Sequence, residues 1–310
     1  MARVSAVDEQ QPGPRADRAA LAAAFVTVTL WASAFVGIRA AGEDLSAGAL
    51  SLARLLIGTA VLGAVVLARR ESLPPRSDIP KLLVCGVLWF GVYNVALNEA
   101  ETLIDAGTAA MLVNVGPVLI AVLAGLLLKE GFPRTLVAGC AVAFAGAVVI
   151  GLASSNGSQV IGPGAALCLL AAAAYAGGVV AQKPLLAGSS ALGVTWAACG
   201  IGTIACLPFA GTLVSEVQSA NASAIWWAVY LGVFPTAVAF TTWAYALSRT
   251  TAGRMGSTTY LVPPLAILMG WIVLGETPPG LAVAGGALCI AGAALARRQP
   301  VGGATPPARP

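Results

Sequence analysis

Residues 116–133 read GPVLIAVLAGLLLKEGFP, and residues 262–279 read VPPLAILMGWIVLGETPP. Each stretch places a proline at its second residue (Pro117, Pro263), a glutamate thirteen residues later (Glu130, Glu276) and a further proline three residues beyond (Pro133, Pro279). The two stretches stand 146 positions apart, and the register extends outward on both sides. Gly86 meets Gly232, and Ala106-Gly107 meets Ala252-Gly253. Val137-Ala138-Gly139 meets Val283-Ala284-Gly285, and Ala145-Gly146-Ala147 meets Ala291-Gly292-Ala293. Alanine and glycine matches come easily in a chain with 36 glycines, but prolines and a glutamate at fixed mutual spacing do not. A looser match sets Trp31 beside Tyr175 and Arg39 beside Lys183. The chain therefore reads as two copies of one unit.

The unit is apolar. Of the 310 residues 58% are hydrophobic and 10% charged, with mean hydropathy +0.86. Soluble domains carry about 25% charged residues. Here the apolar residues come in long blocks of about 20, the length that crosses a bilayer as a helix. The expected spans are 19–39, 46–68, 80–98, 106–128, 134–153, 163–183, 191–211, 224–247, 253–275 and 279–296, punctuated by Pro74-Pro75, Gly131-Phe132-Pro133, Ser154-Ser155-Asn156-Gly157 and Thr277-Pro278-Pro279. The expected class is an all-α membrane protein of ten transmembrane helices, built as two inverted five-helix repeats at 19–153 and 162–297. Residues 1–18 form a cytoplasmic tail, and the Pro/Gly-rich residues 298–310 a disordered one. The first apolar run is too long for a cleavable leader and reads as a first span.

Charge placement orients the map. With the N-terminus inside, the inner segments hold Arg3, Arg15, Arg18, Arg69, Arg70, Arg76, Lys81, Lys129, Arg134, Lys183, Arg249, Arg254, Arg297, Arg298 and Arg309. The outer segments hold Arg39 against Glu43, Asp44, Glu99, Glu101, Asp105, Glu216 and Glu276. This is the distribution expected of a multi-pass protein of the inner membrane with both termini cytoplasmic. Adding or removing one span would reverse every later loop. Five helices per unit is an odd number, so the second copy lies upside down, with Glu130 inside and Glu276 outside. Inverted repeats recur in secondary transporters.

With these residues in view, the chain resembles the EamA-type transporters of the drug/metabolite transporter superfamily. The resemblance rests on the paired Pro117…Glu130 and Pro263…Glu276, on Trp31-Ala-Ser-Ala-Phe35 in the first span and on Arg54 in the second, and it covers residues 19–297. It implies a bundle in which the first four helices of each half surround a central cavity while the fifth and tenth pack outside. It also implies export of amino acids, other metabolites or drugs, with sugar or nucleotide-sugar import or exchange as the alternative in the same fold.

Pro117 and Pro263 each lie about 16 Å into their spans at 1.5 Å per residue, near the bilayer midplane. Each removes a helix hydrogen bond and frees a carbonyl, and Pro264 adds a second break. They are candidate hinges, or kinks tolerated for packing. Arg54 is the one charge set within a span, about 12 Å from its outer end, as a substrate clamp or a structural cation. Asn94 and Asn98 share a helix face, Asn114 precedes Pro117, and Ser257, Thr258, Thr259 and Tyr260 precede Pro263. These polar groups either line a midplane site or bond between helices. Trp31, Trp89, Tyr93, Tyr175, Trp243 and Tyr245 lie away from most span ends and are candidates for an aromatic wall. Trp196, Trp226, Trp227 and Tyr230 read as interface anchors. The proposed substrate-binding set is Trp31, Arg54, Trp89, Tyr93, Asn94, Asn98, Asn114, Tyr175, Trp243 and Tyr260.

Other classes fit poorly. Histidine is absent, and the six cysteines, Cys85, Cys140, Cys168, Cys199, Cys206 and Cys289, sit in apolar runs without CxxC spacing, so no metal site or cofactor is expected. There is no HExxH, GxSxG or GxxxxGK[ST] motif and no lysine placed for a buried dyad, so neither an intramembrane enzyme nor ATP hydrolysis is indicated. Charged surface for nucleic acid is missing. The expected partners are a small-molecule substrate and membrane lipids, with monomer and homodimer both open. No carboxylate is expected deep in a helix unless Glu99 or Glu101 reaches in. That disfavours proton-for-cation exchange and favours a neutral, zwitterionic or anionic substrate.

Overall fold

A computed structural model describes residues 14–104, 109, 112–154, 162–274 and 280–298. Asp105, Ala106-Gly107, Ser155–Gly157, Glu276, Thr277–Pro279 and the outer parts of both tails lie outside the described residues. Every described element is helical: α1 (Pro14–Ala41), α2 (Ala47–Arg69), α3 (Arg76–Leu103), α4 (Gly116–Leu127), α5 (Arg134–Ser154), α6 (Pro163–Leu185), α7 (Ala191–Ser219), α8 (Ala222–Leu247), α9 (Ala252–Ser257), α10 (Val262–Leu274) and α11 (Gly280–Arg297). Among the described residues seven helices are long and apolar enough to cross a membrane: all or nearly all of α1, α2, α3, α6, α7, α8 and α11.

Several helix ends follow from local chemistry. Arg70 takes a left-handed conformation (φ 52°) and its N–H donates to Leu67 O while Glu71 N–H donates to Val66 O, closing α2. Ser190 Oγ accepts from Gly193 N–H at 3.0 Å and caps α7. Two spans expected as continuous, 106–128 and 253–275, are broken. Leu112 and Val113 are helical, residues 114–115 form a turn, and α4 starts at Gly116 with Pro117 in its first turn. In the second half a 3₁₀ turn, Thr258–Leu261, separates α9 from α10. The cause is the proline ring, which clashes with the carbonyl four residues back and removes a donor. The hydroxyls there repair the damage: Ser257, Thr258 and Thr259 donate to Arg254 O, Met255 O and Gly256 O at 2.8, 2.6 and 2.7 Å.

A second irregularity repeats at the 146-residue offset. α3 contains a π-helical stretch at Gly86–Val92, and α8 contains one at Gly232–Val238. π turns widen the helix and free carbonyls, and they cluster at functional sites.

α5 and α11 pack on each other along a seam of small residues. A β-carbon on Gly146 would stand 2.6 Å from Gly285 O, and one on Gly292 would run into Ala143 N. The seam needs glycine for close approach, as helix pairs in lipid commonly do. The larger buried cluster lies elsewhere, around Trp89, Phe90, Tyr175, Phe240, Trp243 and Leu247.

Candidate functional site

The two ends of the bundle differ. At one end the α1–α2 turn docks on the α7–α8 turn: Ser46 N–H and Oγ donate to Glu216 Oε2 at 2.8 and 3.1 Å, and Asn221 N–H and Nδ2 donate to Asp44 at 3.1 and 3.0 Å. At the other end a lysine and a glutamate meet the turn between α8 and α9. Lys183 Nζ donates to Leu247 O and Thr250 O at 2.8 and 2.7 Å. Glu130 accepts from Ala252 N–H and Gly253 N–H at 2.8 and 3.1 Å. A cation thus sits on the C-terminus of α8 and an anion on the N-terminus of α9, the pairing helix dipoles favour.

Between these ends lies a cavity with about 750 Å³ of empty space within its walls and mouth. It is lined by Trp31, Ala34, Phe35 and Ile38 of α1, Arg54 of α2, and Trp89, Tyr93, Asn94 and Leu97 of α3. Val113, Asn114 and Pro117, then Tyr175 of α6, Phe240 of α8, and Thr259, Val262 and Pro263 complete it. None of these residues comes from α5, α7 or α11. The lining runs from Ile38, Leu97 and Val113, near the Asp44 end, to a floor of aromatic rings. Trp31 and Phe240 stand 5.3 Å apart, Trp89 and Phe240 4.9 Å, Trp89 and Tyr175 5.4 Å, and Tyr93 and Tyr175 5.8 Å. Such tilted and edge-on pairs are the favoured aromatic arrangements. Trp89 reaches this position because Gly178 on α6 offers no side chain where its Cβ lies.

Arg54 is the one charged residue in the lining. It is 5% exposed, and its Nε donates to Thr236 Oγ1 at 3.1 Å. Thr236 in turn donates to Leu231 O at 2.8 Å within the π stretch of α8. The same logic operates in α3, where Asn94 Nδ2 donates to Phe90 O at 2.8 Å and to Trp89 O at 3.3 Å. Trp31 Nε1 donates to Pro235 O at 3.2 Å, a carbonyl of the other widened turn. The irregular turns therefore set the polar lining: the carbonyls they free are met by Thr236, Asn94 and Trp31. Among the described residues the only side-chain ion pair within 4.0 Å is Lys81 with Asp78 at 3.8 Å; Arg54 makes no such direct pair, and the buried carboxyl of Glu101 is the acidic group near enough to interact with it electrostatically. The cavity offers a cation with free donors on one wall, amides and a hydroxyl beside it, and an aromatic floor.

Of the proposed substrate-binding residues and hinge prolines, Trp31, Arg54, Trp89, Tyr93, Asn94, Asn114, Tyr175, Pro117 and Pro263 line this space, and Thr259 joins them. Four do not. Asn98 turns to α2, where its Nδ2 donates to Ser51 Oγ at 3.0 Å. Trp243 and Tyr260 are fully buried, Trp243 under the floor 5.0 Å from Trp31 and Tyr260 against α5 and α11. Pro264 faces Gly286 of α11. The expectation of no inward carboxylate is modified at Glu101. α3 runs to Leu103 rather than ending at 98, which carries Glu101 into the bundle with Oε1 buried and without a hydrogen-bond partner. Sequence reading missed Phe240, Thr236 and Gln182. Phe240 and Thr236 have no periodicity of their own, although the Gly86/Gly232 match marks the turn that places Thr236. Gln182 is a lone amide whose meaning depends on burial.

The sequence matches the EamA-like transporter family over residues 18–152 and again over 162–298. It is 37% identical over 278 residues to a protein of Streptantibioticus cattleyicolor named "Probable terminal-alkyne amino-acid exporter", covering 89% of this chain and 93% of that one. It is 34% identical over 266 residues to the uncharacterized transporter YdfC of Bacillus subtilis, covering 86% of each. A protein of Salmonella typhimurium named "Probable amino-acid metabolite efflux pump" is 25% identical over 229 residues, covering 70% of this chain and 77% of that one. A solved crystal structure matches with a TM-score of 0.73 at 23% identity, covering 90% of this chain and 96% of the other, and shows the same fold. Two family matches, one in each half and together spanning nearly the whole chain, agree with the internal repeat and with a membrane bundle around a cavity. The chain belongs to the EamA-like transporter family, a family of multi-pass membrane transporters and not of enzymes.

Proposed function

We propose that this protein exports small carboxylate-bearing metabolites, amino acids foremost, across the inner membrane by alternating access. The observation that carries the reading is Arg54: a buried guanidinium without a carboxylate in direct ion-pair contact, facing a cavity lined otherwise by aromatic, aliphatic and amide side chains. A guanidinium fork binds a carboxylate through two parallel hydrogen bonds. The aromatic floor then takes an apolar side chain. The names of the Streptantibioticus and Salmonella relatives, an amino-acid exporter and an amino-acid metabolite efflux pump, support the same substrate class.

The membrane arrangement belongs to this reading. Ten crossings in two inverted repeats put the basic Lys183 end in the cytoplasm, with both termini there, and the Asp44 end outside. The breaks before Pro117 and Pro263 flank the cavity and serve as hinges for rocking of the two halves. The lining residues approach the outer end and stop at the aromatic floor, which corresponds to an outward-facing state.

Efflux of labelled amino acids from loaded vesicles tests the proposal. Wild-type protein is expected to move a carboxylate-bearing substrate with an apolar side chain, and Arg54→Ala to lower that flux about a hundredfold, on the scale of a lost charge-assisted bidentate contact of ~3 kcal/mol. A neutral analogue lacking the carboxylate should lose far less. Equal loss for both compounds in a folded Arg54→Ala protein would make Arg54 a structural cation and reject the clamp.

A further inference from the structure

Among the described residues Gln182 is the one side chain with two polar atoms both buried and without a hydrogen-bond partner. Gln182 lies in the last turn of α6, is fully buried, and neither Oε1 nor Nε2 has a hydrogen-bond partner. A primary amide in that condition is costly anywhere and most of all within a bilayer, where water cannot supply the missing bonds. Buried orphans of this kind call for an explanation beyond packing.

Its position supplies one. Gln182 follows Tyr175 by seven residues and therefore shares its helix face, about 10 Å further toward the Lys183 end. Tyr175 lines the cavity; Val179, between them on that face, is fully buried. The next residue, Lys183, holds the α8–α9 turn through Leu247 O and Thr250 O, and Glu130 holds the same turn through Ala252 and Gly253. Four hydrogen bonds thus close the end of the bundle immediately beside the orphaned amide. Releasing the two bonds of Lys183 would free the last turn of α6, which carries Gln182, from the α8–α9 turn.

We infer that Gln182 is a substrate-binding residue of the state open to the Lys183 end, receiving the polar head of a small zwitterion before it reaches Arg54. The amide suits that ligand: Nε2 donates to a carboxylate oxygen, and Oε1 accepts from an ammonium. The inference rests on the export reading above, in which the Lys183 end faces the cytoplasm.

Gln182→Met keeps the volume and removes both polar atoms. The expected result is a higher melting temperature, since an orphaned amide is gone, together with a five- to tenfold higher KM for efflux, by analogy with loss of one or two hydrogen bonds to a polar ligand. Gln182→Glu keeps one acceptor and should fall between. In a second arm, Gln182→Cys is treated with a membrane-impermeant maleimide from the cytoplasmic side. Labelling should be slow alone, faster when combined with Lys183→Gln, and slowed by substrate. A Gln182→Met protein with raised melting temperature and unchanged KM would overturn the inference, as would a cysteine at 182 that stays unreactive in both backgrounds. If wild-type protein moves no amino acid yet the cysteine still labels faster in the Lys183→Gln background, the substrate reading fails and the opening at the Lys183 end stands.

Discussion

The α5–α11 seam and the cavity wall are built from the same repeat yet obey opposite rules. Along the seam, Gly146 meets Gly285 and Gly292 meets Ala143 at distances that leave no room for a β-carbon, and Cys289 Sγ donates to Ala143 O at 3.4 Å. Nothing polar on those facing side chains waits for a partner. In the centre of the bundle, Arg54 makes no direct ion pair, the side chain of Gln182 has no hydrogen bond, and Glu101 Oε1 is buried without one. Helices packed through small residues behave as one body, because van der Waals contact at backbone distance is lost at any displacement. Polar groups without partners, by contrast, have no hydrogen bond to lose when their helices separate. If the two halves rock as proposed, the seam is expected to move as one body and the cavity wall to open.

Three substitutions would break or sharpen that contrast. The largest effect is expected at the seam, where Gly292→Leu should cost ~3 kcal/mol or more, because overpacking forces the two backbones apart. Size-exclusion behaviour and thermal unfolding in detergent would show this as aggregation or a steep fall in melting temperature; a protein of wild-type stability would mean the seam is not tight. A smaller effect is expected at Arg54→Lys, which keeps the charge but loses the fork. Its efflux KM for a carboxylate substrate should rise about tenfold, equivalent to ~1.4 kcal/mol, with melting temperature little changed. The smallest is Thr236→Val, which removes the hydroxyl that holds Arg54 Nε and bonds Leu231 O. A loss of about fivefold in transport is expected, in line with one net hydrogen bond of ~1 kcal/mol. No change in transport would show that Thr236 serves only the π turn of α8.

How far the sequence carried depended on the kind of signal. Span positions were legible because each rests on a long window of apolar residues: 46–68 was expected and Ala47–Arg69 found, 163–183 expected and Pro163–Leu185 found. The end of α3 was misplaced because Glu99 and Glu101 end the apolar run while the backbone continues helical to Leu103. Charge is a good marker of the hydrophobic limit and a poor marker of the helix limit. Kinks at the two prolines were expected within continuous spans, whereas the helices break outright, at a turn over 114–115 and a 3₁₀ turn at Thr258–Leu261. Asn94 and Asn98 share one helix face in the sequence, yet Asn94 lines the cavity and Asn98 bonds to Ser51, because α2 packs against only part of that face.

The sequence alone determined that this chain is helical, apolar and doubled, because hydropathy, proline position and a 146-residue register are properties of order along the chain. It also singled out Arg54, because an unbalanced charge within an apolar run is visible without coordinates. The tertiary structure decided which polar groups face the cavity, which are spent on neighbouring helices, and which, as at Gln182, have no partner at all. Those distinctions depend on the rotation and contact of helices distant in sequence, and a residue's hydrogen bonds are settled only when its neighbours from other helices arrive.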